Sequence, residues 1–303
     1  LIGGLFEADS LVMLAGPSYS FKSFLLIDWL LCMASGRKWL GRETAACKVG
    51  YALGEGKAGL MKRIQAWITF NQPDEAELAR LKENFKMTFS VPQMASKASV
   101  DNMLADLEAE DFKPDVIAID TFNRSMVGFD ENDAKDAGLW VEQADRLRQS
   151  NYTVILLHHT KKNTEFGVTY RGSTAIIGAM DTAMTLVRDG DYTTLTVTKQ
   201  KDHDEGAPMR FKRVLVGLGG DESCVLAFAP TFDARFTVEP PRPSAGPPRD
   251  DSANIDDIID DLIEDYTFDS DRARARELAT MASLSEAAAR SRLVRRMKER
   301  ESV

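Results

Sequence analysis

Apolar residues in the first half of the chain fall into short unbroken runs that alternate with longer stretches of helical period. The first run, Leu11 to Ala15, reads as a buried strand, and a helical pattern follows from Lys22 to Ala34 with Gly36 as its stop. Lys48 to Leu53 is a second short strand, and Gly59 to Phe70 a helix with Leu60, Ile64 and Trp67 on one face. Asn71-Gln72-Pro73-Asp74 opens another helix, capped by Asp74 or its neighbour, and Thr88 to Val91 is expected as a third strand. Ser99 to Glu110 forms an amphipathic helix ahead of Asp115-Val116-Ile117-Ala118-Ile119-Asp120, a strong buried strand. A long helix over Lys135 to Ser150 then leads to the strand Thr153 to Leu157. Such strand–helix alternation predicts an α/β fold with a mainly parallel sheet and helices on both faces.

After His158-His159 the period changes. Thr160 to Gly172 is polar, rich in Thr, Lys and Gly, and reads as a loop. Met180 to Arg188, Thr193 to Lys199, Met209 to Val216 and Cys224 to Ala229 read as strands. Turns at Asp189-Gly190-Asp191 and Gly219-Gly220-Asp221 help make them a C-terminal β-meander. The predicted organisation is a core over residues 1–238, a Pro-rich linker over 239–250 and a small helical domain over 251–303. In that last part Asp256 to Asp265 is acidic, and Arg272 to Arg300 is basic with its own apolar set. Glu277 to Leu293 resembles a helix-turn-helix with Ser285 capping the second helix, which can enter a DNA groove or serve as a plain interaction module.

Composition adds constraints. Hydrophobic residues at 44% suffice for a packed core, and a formal net charge of −9 disfavours coating nucleic acid with the whole surface while leaving room for a local basic channel. Cys32, Cys47 and Cys224 are widely separated and offer neither a disulfide framework nor a zinc pattern; Cys32, in an apolar helical run, is expected to be a buried thiol. No stretch reads as a signal peptide or as a membrane span, so the expected location is cytoplasmic, away from membranes. The chain opens on Leu1 rather than Met, as a fragment or processed product would.

The chemistry begins between the first strand and the first helix. Gly16-Pro17-Ser18-Tyr19-Ser20-Phe21-Lys22-Ser23, followed by Phe24, has the layout of a P-loop, whose backbone N–H groups and helix N-terminus converge on phosphates. Lys22 would reach the β/γ-phosphates and Ser23 would ligate Mg²⁺. Phe21 stands where the pattern wants glycine, and the loop is expected to accommodate it by a shift of the backbone before Lys22. Asp120, ending an apolar strand, is placed as the second Mg²⁺ ligand. Glu55, at a strand end between two glycines, is the candidate base. His159 is preferred over His158 as a γ-phosphate sensor, because Val154, Leu156 and His158 alternate to the opposite side.

The ordered set Gly16 to Ser23, Leu53-Gly54-Glu55-Gly56, Val116 to Phe122, Leu157-His158-His159-Thr160 and Arg171-Gly172-Ser173 resembles the RecA-like AAA-type ATPases of phages and plasmids, among them the hexameric replicative helicase RepA. The resemblance covers about residues 1–235, and Asp130 to Asp136 is similar to the segment that follows the Walker B strand in phage members. It implies ATP and Mg²⁺ as ligands, catalytic roles for Lys22, Glu55, Asp120 and His159, and a DNA-facing Arg171. Thr198-Lys199-Gln200-Lys201 resembles the family's K-x-R element, which reaches the γ-phosphate of a neighbouring subunit, except that Lys201 replaces the arginine and lacks its planar fork. The other reading of Lys199 and Lys201 is a pair of solvent-facing strand residues. The implied function is a ring-forming, most simply hexameric, helicase that moves on single-stranded DNA and meets other replication proteins. A RecA-like recombination or repair ATPase, a helicase loader or regulatory ATPase, and a non-hydrolysing DNA-binding protein are the competing readings.

Overall fold

A computed structural model describes residues 1–160 and 174–229. Five strands form the parallel part of its sheet: β1 (Leu11–Gly16), β2 (Val49–Leu53), β3 (Phe85–Thr88), β4 (Val116–Asp120) and β5 (Thr153–His159). The helices are α1 (Lys22–Ser35), α2 (Lys57–Asn71), α3 (Glu75–Asn84), α4 (Lys97–Ala109), α5 (Ala134–Gln149) and α6 (Thr174–Ala179). Strands β6 (Thr182–Asp189), β7 (Tyr192–Gln200), β8 (Met209–Gly217) and β9 (Glu222–Phe228) complete the sheet, in the order β3-β2-β4-β5-β1-β6-β7-β8-β9. β6 pairs in parallel with β1, and β6 to β9 run as an antiparallel meander.

Period-two alternation divides the core. On one face Val12 and Leu14, Tyr51 and Leu53, Val116 and Ala118, and Ile155 and Leu157 pack with residues of α1, α2 and α3. On the other, Leu11 and Met13, Ile117 and Ile119, and Val154 and Leu156 pack with α4, α5 and α6. Both faces of the parallel strands are therefore covered, which is why those strands read as unbroken apolar runs. Within α1 the Asp28 carboxylate accepts from the indole N–H groups of Trp39 and Trp67, each at 2.7 Å, tying α1 to α2 and to the loop between α1 and β2. Cys32 is buried at 4% exposure, and burial raises its thiol well above the ordinary value.

Two strands differ from the sequence reading. The third strand is Phe85–Thr88 rather than Thr88 to Val91, because Phe85 and Met87 turn inward as soon as α3 ends. Helix α3 itself opens with a capping box between Asp74 and Glu77. The meander begins at Thr182 rather than Met180, since Thr174–Ala179 is helical and the Asp181 carboxylate is taken by the Leu11 N–H. A 3₁₀ turn over Phe122–Met126, which the apolar pattern does not signal, follows β4 directly. The linker over 239–250, the helical domain over 251–303 and Arg171 lie outside the described residues.

Candidate active site

The parallel strands end together. Gly16 is in register with His159, and Leu53 with Asp120, so the loops after β1, β2, β4 and β5 share one sheet edge, where open α/β folds bind ligands. Gly16, Asp120 and His159 continue the alternation of Leu14, Ala118 and Leu157, which puts all three on the face covered by α1 and α2. His158 takes the opposite face and is buried edge-on against the Phe122 ring, with centroids 4.8 Å apart.

The loop after β1 is tightly built. A Cβ on Gly16 would lie 2.3 Å from the Leu186 carbonyl oxygen of β6 and 2.8 Å from Ser20 Oγ, so only glycine lets the loop leave the strand this close to its neighbour. Phe21 caps α1 in the left-handed region at φ 66, and Tyr19, two residues before it in the loop, is also left-handed at φ 65. The loop therefore admits Phe21 by placing that residue itself in the conformation a glycine would take, at a cost of about 1–2 kcal/mol. Arg188 lies over the Phe21 ring at 5.0 Å, Phe24 meets that ring at 5.5 Å, and Arg63 lies over Phe24 at 4.8 Å.

Lys22 is buried and its Nζ donates to the carbonyls of Gly16 and Pro17 at 2.9 and 2.8 Å. Burial lowers its pKa to about 8, against the opposing pull of Asp120 and Glu55. Ser23 Oγ donates to Asp120 Oδ2 at 2.8 Å, and Tyr51 Oη donates to the same oxygen at 2.9 Å. Burial holds the Asp120 carboxyl above its ordinary range, partly offset by these two hydroxyls and by Arg63. Burial and the Asp120 carboxyl in turn keep the Tyr51 phenol protonated, as a donor must be.

Glu55 sits where α2 is about to begin. One carboxylate oxygen accepts from Arg124 Nε at 3.2 Å, and the other lies 3.9 Å from His159 Nε2. Arg124 comes from the 3₁₀ turn after β4 and crosses directly over Gly54, where a Cβ would lie 2.7 Å from Arg124 Cγ. Sequence reasoning missed Arg124. Its only signal is its position four residues after Asp120, in a segment with no apolar period.

These residues fit a magnesium–nucleoside triphosphate. Ser20 Oγ and Thr121 Oγ1 are buried beside the loop and beside Asp120 without a hydrogen-bond partner among the described residues, and Lys22 turns back onto loop carbonyls that a phosphate would replace. The described residues hold no cluster of three protein metal ligands, but Mg²⁺ on a triphosphate takes most of its oxygens from phosphate and water. Ser23 and Asp120 would hold it.

A protein-family model described as an AAA domain matches residues 1–165, more than half of the chain. The chain belongs to this AAA-domain family. The match spans the P-loop, Glu55, Asp120 and His159, and the sheet that carries them is mixed and mainly parallel, as an α/β P-loop core requires. No curated protein matches the chain. Solved structures do, among them one titled "Crystal structure of the RadB recombinase", at 17% identity over 68% of this chain and 88% of that one, with a TM-score of 0.45. No helix among the described residues is long and apolar enough to cross a membrane.

Beyond the matched residues, the fold keeps Lys199 and Lys201 far from the chain's own P-loop. Thr182 pairs with Val12 on β1 and with Gln200 on β7, so both lysines lie at the amino edge of the parallel strands. That edge is about 13 Å of strand from Gly16. There Lys199 Nζ donates to the Ile177 and Gly178 carbonyls at 2.9 and 2.7 Å, and Lys201 Nζ to Asp181 Oδ1 at 2.7 Å. Arg148 adds a second cation to Asp181 at 3.3 Å. Neither lysine can meet the nucleotide of its own chain.

Proposed function

We propose that this AAA domain hydrolyses ATP and that its turnover drives movement on single-stranded DNA, in a ring of copies acting as a replicative helicase of the phage or plasmid type. The observation that carries the ATPase reading is the meeting of Lys22, the Ser23–Asp120 pair, Glu55 and His159 on one face of one sheet edge. Lys22 and the α1 N-terminus would bind the phosphates, and Ser23 with Asp120 would hold Mg²⁺. When bound, the metal would neutralise phosphate charge. Glu55 would take the proton of the attacking water, with Arg124 on its far oxygen fixing the carboxylate. His159, 3.9 Å from Glu55, would register the terminal phosphate and pass its state to the segment bearing Arg171.

The proposed assembly would use the opposite edge. The resembled family's K-x-R element completes a neighbour's site in trans; for Lys199 and Lys201 to do so they would have to leave the carbonyls of Ile177 and Gly178 and the Asp181 carboxylate. Such a head-to-tail contact closes as a ring or propagates as a filament. The filament is the recombination or repair reading, and electron microscopy with an ATP analogue separates the two. The test of the proposal is the ATPase rate per chain against protein concentration, with and without single-stranded DNA. The rate should rise as chains assemble and rise further with DNA; an equal per-chain rate in a form forced to stay monomeric would overturn the trans-completed motor.

A further inference from the structure

The aromatic side chain at residue 21 sits at the N-cap of α1 in the left-handed region, where glycine would be unstrained. Its surroundings indicate what the ring is used for. The Arg188 guanidinium lies over it at 5.0 Å, and Phe24 packs edge-on at 5.5 Å. Arg188 is pinned in turn, its Nε donating to the Gly190 carbonyl at 2.8 Å in the turn between β6 and β7. The arginine is solvent-exposed, so a guanidinium backed by a phenyl ring is presented outward beside the P-loop.

The direction of the site fixes which part of a nucleotide would meet this surface. Asp120 and His159 end β4 and β5 and Glu55 follows β2, strands that all lie on one side of β1 in the sheet, whereas β6 lies on the other. A triphosphate whose terminal phosphate faces Glu55 and His159 must extend its nucleoside toward β6. The Leu186 carbonyl of β6 closes against Gly16, and Arg188 stands two residues further along the same strand. We propose that Phe21 and Arg188 form a stacking platform for the base of the bound nucleotide, preferring the large flat face of a purine. The proposal rests on the reading that the loop binds ATP. It gives the departure from glycine at residue 21 a purpose: the loop holds the phosphates, and Phe21, one of its two aromatic side chains, supports the arginine that holds the base.

Calorimetric titration of the whole chain with Mg-ATP and with Mg-tripolyphosphate, which has phosphates but no base, tests it. Phe21→Leu keeps apolar bulk and removes the ring, while Arg188→Lys keeps the charge and removes the plane. Each substitution should weaken ATP about five- to tenfold and leave tripolyphosphate within about twofold. Equal weakening of both probes, or unchanged ATP affinity in either variant, would overturn the platform. If Phe21→Leu loses its thermal transition, Arg188→Lys, at an exposed position, decides alone. A wild-type chain that binds neither probe would instead remove the ATP reading itself, a result distinct from failure of the platform alone.

Discussion

At the carboxyl edge of the parallel strands Asp120 accepts from two hydroxyls, Ser23 and Tyr51, and burial keeps its carboxyl above the ordinary value. At the amino edge of the same sheet Asp181 is also pushed up by burial. There the Leu11 N–H, Lys201 and Arg148 together outweigh that push and hold it below the ordinary value. The two carboxylates lie at opposite edges of one sheet, at the end of β4 and just before β6, and have opposite electrostatic fates. Asp181 is fully compensated within the chain and fastens β1, α5, β6 and the end of β7 together. Asp120 is under-compensated, which makes sense for a group whose balancing cation arrives with a ligand. Lys22 follows the same logic, being buried against carbonyls and lowered to about 8 until a phosphate takes their place.

The contrast breaks first at Asp181. Asp181→Ala leaves the buried Leu11 N–H and Lys201 without this acceptor, removes one of Arg148's two carboxylate partners, and should cost about 2–4 kcal/mol of stability at pH 7, measured by urea unfolding. Because the folded pKa is lowered, this contribution is present above the ordinary value of 3.8 and is lost as pH falls through the lowered folded value. The difference between wild type and variant should therefore shrink in acid.

Asp120→Asn should act in the other direction on stability. With no Mg²⁺ present it removes a buried, poorly compensated charge while keeping an acceptor for Ser23 and Tyr51, and should raise stability by about 1 kcal/mol at pH 7. Its folded pKa is raised, so the native state is favoured by protonation below the ordinary value of 3.8, and that advantage is lost as pH rises through the raised value. A stabilised variant that no longer turns over ATP would show that Asp120 is kept for the ligand. A destabilised one would place it with Asp181 as a structural group.

The smallest effect is a proton. A phosphate beside Lys22 raises its pKa from about 8, so ATP binding at pH 8–9 should take up a fraction of a proton per site and weaken as pH rises further. Calorimetry in buffers of different ionisation enthalpy measures this. Proton release, or no proton exchange, would mean that Lys22 does not meet the phosphates.

Much of the site was legible because it is local. Gly16 to Ser23 is one continuous segment, Asp120 announces itself by ending an apolar run, and alternation alone separates His159 from His158. The parallel sheet was legible for the same reason, since strands covered on both faces are apolar throughout. What stayed hidden joins residues far apart in the chain: Phe21 with Arg188, Glu55 with Arg124, and Asp181 with Leu11, Arg148 and Lys201. No periodicity records such pairings, because they depend on strand order rather than on the pattern within any strand. Phe21 shows the limit best. The sequence marks it as a departure from glycine, while its left-handed backbone and its arginine partner follow only from the placement of β6 beside β1.

The central claim is that the carboxyl edge is a hydrolytic site with Glu55 as its base. The most direct measurement is ATP turnover and ATP binding by wild type and Glu55→Gln, with and without single-stranded DNA. The account predicts that the variant binds ATP with affinity near wild type and loses turnover by about 10²–10⁴-fold, the range for removal of a general base. Unchanged turnover in Glu55→Gln would contradict it.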